Sequence, residues 1–116
     1  MTPEELKQRT MQYALRVLEV VRSLGRGLEA EIIGRQLFRA GASVAANYRA
    51  ACRARSRKEL VAKMGIVEEE ADESLFWLEF LVKSGRLAEA KLRPLMAEGS
   101  EIVAIAVSSK RTARAK

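Results

Sequence analysis

Seven basic residues and no acidic residue lie between positions 35 and 58, which makes this the most strongly charged stretch of the chain. They are Arg35, Arg39, Arg49, Arg53, Arg55, Arg57 and Lys58. In a helix the first four share one face, because steps of three and four residues alternate along it. The arginine guanidinium is planar and offers five hydrogen-bond donors, which suits phosphate oxygens. We therefore expect all seven residues to bind the phosphate backbone of RNA or DNA, with little reading of base sequence.

A row of arginines on a helix also has two simpler interpretations. The side chains can form a solvated face that keeps the protein soluble, or they can pair with acidic residues of the next helix or of another subunit. The acidic run from Glu68 to Glu73 could supply such partners, and we expect the run itself to form a solvated or interface-facing surface. An ordinary solvated face mixes charges of both signs, so the absence of acids between positions 34 and 58 favours an anionic partner.

The segment Ala40–Arg49 suggests a further interpretation, because it resembles the turn and recognition helix of regulators of the tetracycline-repressor type. Glycine stands in the turn, at Gly41, and Tyr48 follows seven residues later. Such a regulator binds a short operator as a dimer. Against this interpretation, the apolar series through Leu37, Val44 and Tyr48 keeps one helical phase across Gly41, as a continuous helix does.

Residues that many enzymes need are missing from this chain. It contains no histidine, so it lacks the base of a Ser-His or Cys-His nucleophilic pair and the usual nitrogen ligand of zinc or haem. The acidic run cannot complete a di-iron centre of the bundle type, whose Glu-x-x-His pairs require histidine. No glycine-rich phosphate loop follows a strand, because no strand pattern is present. We expect a protein without catalytic activity, metal or other cofactor.

Length and composition indicate one domain over residues 1–116. The chain is 48% hydrophobic and 31% charged with two prolines, which favours a folded helical protein over a disordered one. Its longest apolar run, Ile102–Val107, is too short for a membrane span, and no signal peptide is recognisable. Cys52 is the only cysteine, so no intramolecular disulfide can form. We expect a cytoplasmic protein in which Cys52 is a small packing residue.

The net charge of +6 is unevenly distributed along the chain. Residues 34–58 contribute +7 and residues 102–116 contribute +4, whereas the rest of the chain carries −5. Such segregation of charge favours an anionic partner over a role in solubility alone.

Periodic apolar residues predict four helices, with bounds of about 3–24, 28–54, 57–84 and 88–112. Thr2 and Ser56 begin capping boxes before the first and third helices, and glycines mark two helix ends. Pro94 suggests a start or kink in the fourth helix, and the residues from Lys110 onward are expected to fray. Because the connections are short, the helices must alternate in direction. The predicted fold is all-α, an antiparallel up-down-up-down four-helix bundle.

The third predicted helix has more apolar surface than one bundle core can cover, because Leu75–Val82 is apolar nearly all the way round. Four residues are expected to form a subunit interface: Phe76, Trp77, Phe80 and Leu81. In the second helix, Ser43 and Asn47 lie one turn apart and are expected to make structural hydrogen bonds at a helix or subunit contact. Tyr48 is expected to face the core.

Longer segments of the chain match one known family. They are R-T-x-x-Y-A-L-R-V in the first helix, I-G-R-Q-L-F-R-A-G-A-S-V-A-A-N-Y-R and A-R-S-R-K-E after it, and G-I-V-E-E-E-A-D-E-S-L-F-W-L-E in the third helix. The chain resembles the small bacterial four-helix-bundle proteins encoded in 23S ribosomal RNA intervening sequences, a family similar to the accessory variability determinant of diversity-generating retroelements. Ala50 departs from the pattern, in which glutamate is usual.

The resemblance implies a bundle assembled as a ring-like homopentamer, with basic surface for nucleic acid and no catalytic activity. For the retroelement branch it also implies a reverse transcriptase and its RNA as partners, and the sequence does not identify the branch. We therefore predict a non-enzymatic, homo-oligomeric accessory protein that binds RNA or DNA. An oligomeric scaffold without a nucleic-acid role and a helix-turn-helix regulator are the alternatives.

Overall fold

The computed structural model describes all 116 residues and contains four α-helices and no strand. The helices are α1 (Pro3–Ser23), α2 (Leu28–Cys52), α3 (Arg57–Lys83) and α4 (Glu89–Ala115). The all-α class is confirmed. The predicted helix bounds differ from the observed ones by at most three residues, and the largest difference is at the end of α4.

Neighbouring helices run antiparallel and form an elongated bundle whose long axis measures 47 Å. Along α2, Gly34 lies against Val21 of α1 and Gly41 lies against Val17, so the two helices run in opposite directions. The connections from α2 to α3 and from α3 to α4 are equally short, which reverses the chain at each of them. One end of the bundle therefore collects the start of α1, the α2–α3 connection and the end of α4.

Local sequence signals fix the helix ends. The Thr2 hydroxyl accepts a hydrogen bond from the backbone N–H of Glu5, and the Glu5 carboxylate accepts one from the backbone N–H of Thr2, which is the predicted capping box. The Ser56 hydroxyl accepts a hydrogen bond from the backbone N–H of Glu59, but the Glu59 side chain accepts none in return, so only half of the second predicted capping box forms. After α3, Gly85 has a φ of +81°, a conformation that residues with side chains rarely adopt.

Helix α4 is longer and more regular than predicted. It begins at Glu89 and runs through Pro94, so the proline lies inside the helix and not at its start. Its last turns do not fray as expected, because Ala113 is buried against the bundle. This extension carries the basic C-terminal residues on a helix that is fixed to the rest of the protein.

Helix α2 is continuous across Gly41. A β-carbon at this position would lie 2.7 Å from Cγ1 of Val17, which is too close for any real side chain, so glycine allows α1 and α2 to approach. The chain has no turn between Ala40 and Arg49. The helix-turn-helix interpretation is therefore wrong for this segment.

The core consists of the apolar side chains that face the bundle axis. The predicted apolar series of α2, Leu37, Val44 and Tyr48, is buried, and so are Ile33, Ala40 and Ala51 on the same face of the helix. One polar contact crosses the core, where the hydroxyls of Tyr13 and Ser74 lie 2.7 Å apart and link α1 to α3. Burial raises the pKa of Tyr13, which keeps this phenol protonated at neutral pH.

The interface prediction was wrong for Leu81, which is fully buried in the core. Leu81 follows Leu78 by three residues and Ser74 by seven, so it continues the inward-facing series of α3. The apolar run around it concealed this phase in the sequence.

None of the four helices has a stretch that is both long and apolar enough to cross a lipid bilayer.

Candidate nucleic-acid interface

The arginine row of α2 is divided by ion pairs. Arg35 donates to Glu31 one turn earlier, at 3.0 Å. Arg39 reaches α3, where it binds Glu70 at 2.9 Å and also Glu73. The hydrogen bonds that Arg39 donates, first to Glu73 and then to Glu70, raise the pKa of Arg39. Arg35 and Arg39 are thus neutralised within the chain, and the simpler interpretation of pairing with a neighbouring helix describes Arg39.

The acidic run of α3 is only partly the free surface that was expected. Glu70 and Glu73 hold Arg39, and Glu68 lies 2.6 Å from Nζ of Lys110, which connects α3 to α4. Three of its carboxylates therefore link helices of the same chain. The sequence offered this run as a possible partner of the arginine row but did not identify the pairs, because they depend on the register between helices that are far apart in sequence.

Five of the seven predicted basic residues are exposed and form no ion pair. They are Arg49, Arg53, Arg55, Arg57 and Lys58. These residues span the last turn of α2, the α2–α3 connection and the first turn of α3. The fold brings them together at one end of the bundle.

The end of α4 adds three more unpaired cations to the same place. Arg111, Arg114 and Lys116 are exposed and have no acidic partner. Lys116 lines one cleft together with Arg55 and Arg57, which shows that the two segments meet. The excess of positive charge in residues 102–116 was the sequence signal for this contribution. We call the eight residues Arg49, Arg53, Arg55, Arg57, Lys58, Arg111, Arg114 and Lys116 the basic end.

Few acidic groups offset this charge. At this end of the bundle, Glu4 pairs with Lys7 at 3.3 Å. The Glu5 carboxylate is held by the capping box of α1, and Glu59 is half-buried. A groove of about 460 Å³ between α1 and α2 is lined by Lys7, Arg49 and Arg53 and extends the positive surface along the side of the bundle.

Elsewhere, several of the cations are tied into the bundle. Arg9 of α1 donates to Glu98 at 2.6 Å and to Glu101 at 2.7 Å in α4. The hydrogen bond from Arg9 lowers the pKa of Glu98. Arg86 binds Glu29 and the backbone carbonyl of Leu24, each at 2.7 Å. Unpaired cations are therefore more numerous at the basic end, which has eight, than at the opposite end, where Arg22, Arg26 and Lys91 are exposed and unpaired.

Two groups of exposed apolar side chains lie on different sides of the bundle, apart from Met1 and Leu28 near helix starts. On α3, Phe76 and Phe80 are 54% and 44% exposed, and their rings pack against half-buried Trp77. Ile32 lies on the same side, because it precedes Arg39 by two turns and Arg39 contacts α3. We call Ile32, Phe76, Trp77 and Phe80 the aromatic face.

A second apolar group lies where α1 and α2 meet. Met11 and Leu15 of α1 are about half exposed, and so is Phe38 of α2. Phe38 falls between Gly34 and Gly41, both of which pack on α1, so it lies on the α1 side of α2. We call Met11, Leu15 and Phe38 the second apolar face.

Ser43 and Asn47 bond to each other. The Asn47 side-chain amide donates to the Ser43 carbonyl at 2.9 Å and to its hydroxyl at 2.8 Å, within one turn of α2. Both residues are half-buried. The predicted hydrogen bonds form, but they lie inside α2 and do not join two helices.

Cys52 is exposed, so the prediction that it packs in the interior was wrong. It is the last residue of α2 and lines the cleft at the basic end. Tyr48, one turn earlier, is buried as predicted. Burial, and then the neighbouring Cys52, raise the pKa of Tyr48. No group of three or more cysteine, aspartate and glutamate side chains is arranged to hold a metal ion.

Comparison with known proteins gives a consistent result. The chain matches the fold of a crystal structure from Bacteroides thetaiotaomicron VPI-5482, described as a protein with unknown function from the S23 ribosomal protein family. The TM-score is 0.84 and the identity 26%, over 90% of this chain and 96% of the other. No curated protein matches the sequence significantly. The family model described as 23S rRNA-intervening sequence protein matches residues 4–108. The chain therefore belongs to the 23S rRNA-intervening sequence protein family.

Proposed function

We propose that this chain is a non-enzymatic, homo-oligomeric protein that binds the phosphate backbone of RNA or DNA through its basic end. The observation that carries the proposal is the collection of eight exposed, unpaired cations from α2, α3 and α4 at one end of the bundle. Five of the eight lie on helices, and the other three directly follow a helix end or lie in the short α2–α3 connection, so the scaffold sets their positions. Electrostatic attraction of this kind supplies most of the affinity of sequence-independent binding.

The residue types at the basic end favour phosphate over base recognition. Six of its eight members are arginines, whose forked donors match phosphate oxygens in pairs. The cleft at the basic end is lined by no asparagine or glutamine, the side chains that commonly read bases, although Gln8 and Gln12 line the neighbouring groove. The family description refers to 23S rRNA intervening sequences, which makes a structured RNA the first probe to use.

A charge-matched pair of variants tests the proposal. Replacing Arg53, Arg55 and Arg57 by glutamine removes three charges from the basic end. Fluorescence anisotropy with labelled RNA should then show an affinity loss on the order of 10- to 100-fold, similar for all sequences.

The control removes the same number of charges from the opposite end of the bundle. Arg22, Arg26 and Lys91 are exposed and unpaired there, and their replacement by glutamine should leave the affinity within about twofold of the wild type. Equal losses in both variants would show that net charge, and not the basic end, governs binding. Circular dichroism should show unchanged helix content in both.

Self-association is the second part of the proposal, and it rests on the aromatic face and the second apolar face. A small monomer rarely leaves two clusters of large apolar side chains in water. Because the two clusters differ and lie on different sides, contact between them joins copies head to tail, an arrangement that can close into a ring such as the pentamer. If assembly occurs without nucleic-acid binding, the protein is an oligomeric scaffold.

A reverse transcriptase is a further proposed partner, and only the resemblance to the retroelement accessory protein supports it. Co-purification of the chain with a reverse transcriptase encoded beside its gene tests this part separately. Absence of such a gene would remove this partner from the proposal.

A further inference from the structure

The cleft at the basic end has a composition that helix packing does not require. It lies between the last turn of α2, the α2–α3 connection and the last turns of α4, and its volume is about 720 Å³. Three cations line it from separate segments: Arg55 from the connection, Arg57 from the start of α3 and Lys116 from the residue after α4. None of the three has an acidic partner, so their charge is available to an anion.

Hydroxyl and apolar groups complete the lining. Ser56, Ser108 and Thr112 contribute hydroxyls that can donate or accept hydrogen bonds, while Leu60 and Ala113 contribute apolar surface. Cations suit a phosphate, hydroxyls suit a sugar or the polar edge of a base, and aliphatic surface suits the face of a base. These three requirements occur together in a nucleotide.

We infer that this cleft binds one unpaired nucleotide of a nucleic-acid strand, an inference that rests on the proposed function. Its volume lies in the range of about 300–1,000 Å³ that is usual for small-molecule sites. A single nucleotide turned away from its neighbours can enter such a cleft, whereas a base stacked and paired inside a duplex cannot. The protein should therefore prefer single strands, loops or bulges to a continuous duplex.

Cys52 provides a direct reporter for this site. It is the only cysteine of the chain, it is exposed, and it lines the cleft. The rate of its modification by a neutral maleimide should fall by about threefold or more with saturating AMP, because bound ligand covers the thiol. Adenosine, and inorganic phosphate at equal ionic strength, should each protect less. A single-stranded oligonucleotide should protect at lower concentration than the duplex of the same sequence.

A charge-neutral variant separates the cleft from the basic surface around it. Ser108 is exposed and lines the cleft, so Ser108→Trp fills it while every cation stays in place. This variant should lose the preference for single strands and keep its duplex affinity. Ala104 is exposed one turn earlier on α4 and outside the cleft, so Ala104→Trp should behave like the wild type.

The outcomes distinguish this inference from the proposed function. Three results would overturn the inference alone. RNA could bind without protecting Cys52, a duplex could protect Cys52 as well as a single strand does, or Ser108→Trp could keep the preference for single strands. Protection by AMP without binding of any strand would show a site for a free nucleotide and would overturn both. Protection by AMP and single strands together, with loss of preference in Ser108→Trp, supports the inference.

Discussion

Paired substitutions on the two apolar faces test the proposal that copies of this chain assemble head to tail. Phe76 and Phe80 are 54% and 44% exposed, which together corresponds to roughly 200 Å² of aromatic surface. Burying that area in a subunit contact contributes about 5 kcal/mol at 25 cal/mol per Å². Replacing both by glutamate should therefore weaken each contact by between about three and four powers of ten in Kd.

The assay is light scattering at micromolar concentration on two variants, alone and mixed. One variant carries Phe76→Glu and Phe80→Glu, and the other carries Leu15→Glu and Phe38→Glu on the second apolar face. Each variant alone should be monomeric. Mixed in equal amounts they should form a 1:1 heterodimer, because each still has the face that the other has lost.

Matched controls and alternative results make the test decisive. Ala97→Glu with Ala104→Glu adds the same charge at exposed positions of α4 and should assemble like the wild type. Assembly of the Leu15/Phe38 variant with itself would show that the aromatic face pairs symmetrically, which contradicts the head-to-tail contact. A monomeric wild type would contradict self-association altogether.

Three further predictions concern the bundle itself. Gly41→Ala should lower the free energy of unfolding by about 1–3 kcal/mol, because its β-carbon meets α1. A β-carbon at Gly65 would lie 4.0 Å from Cδ of Lys110, an ordinary contact, so Gly65→Ala should raise the free energy of unfolding by up to about 1 kcal/mol. Urea unfolding measures both. Arg9 lowers the pKa of Glu98, so the stability that the Glu98 carboxylate contributes is present above its ordinary pKa of 4.5 and is lost as the pH falls through the lower folded-state pKa. Glu98→Gln should therefore lose less stability than the wild type on acidification in that window. Equal losses would contradict the stabilising ion pair of Glu98 with Arg9. Arg39→Gln should lower the free energy of unfolding by up to about 1 kcal/mol and leave the nucleic-acid affinity within about twofold of the wild type. A large loss of affinity would show that Arg39 contacts phosphate despite its ion pairs.

Short-range patterns predicted the helices well because their causes are local. The capping box at Thr2 and the left-handed conformation of Gly85 involve residues within one helical turn, and apolar periodicity can be recognised over two or three turns. Leu37 and Val44 could be assigned to the core from their phase alone. Leu81 could not, because its surroundings are apolar on every side and only the position of the neighbouring helices decides which residue turns inward.

The candidate site was predicted in part, for a related reason. The charge of residues 49–58 does not depend on the fold, and these residues are unpaired in the structure. Whether Arg39 is paired or free depends on the register of α2 against α3, which places Glu70 and Glu73 beside it. The contribution of the C-terminal residues depends on α4 remaining helical to Ala115, which packing of Ala113 secures and which local sequence does not reveal.

The salt dependence of RNA binding tests the central claim most directly. Each phosphate neutralised by the basic end releases counterions, so log Kd should rise linearly with log salt concentration, with about 0.7 to 0.9 units of slope per contact. The variant with glutamine at positions 53, 55 and 57 should reduce that slope by about two to three units relative to the wild type, while the control variant at the opposite end should leave it unchanged. Equal salt slopes for the wild type and the basic-end variant would contradict the account, because these arginines would then be solvated surface. Loss of the oligomer in that variant would also contradict it, because the arginines would then pair with acidic residues of a neighbouring subunit.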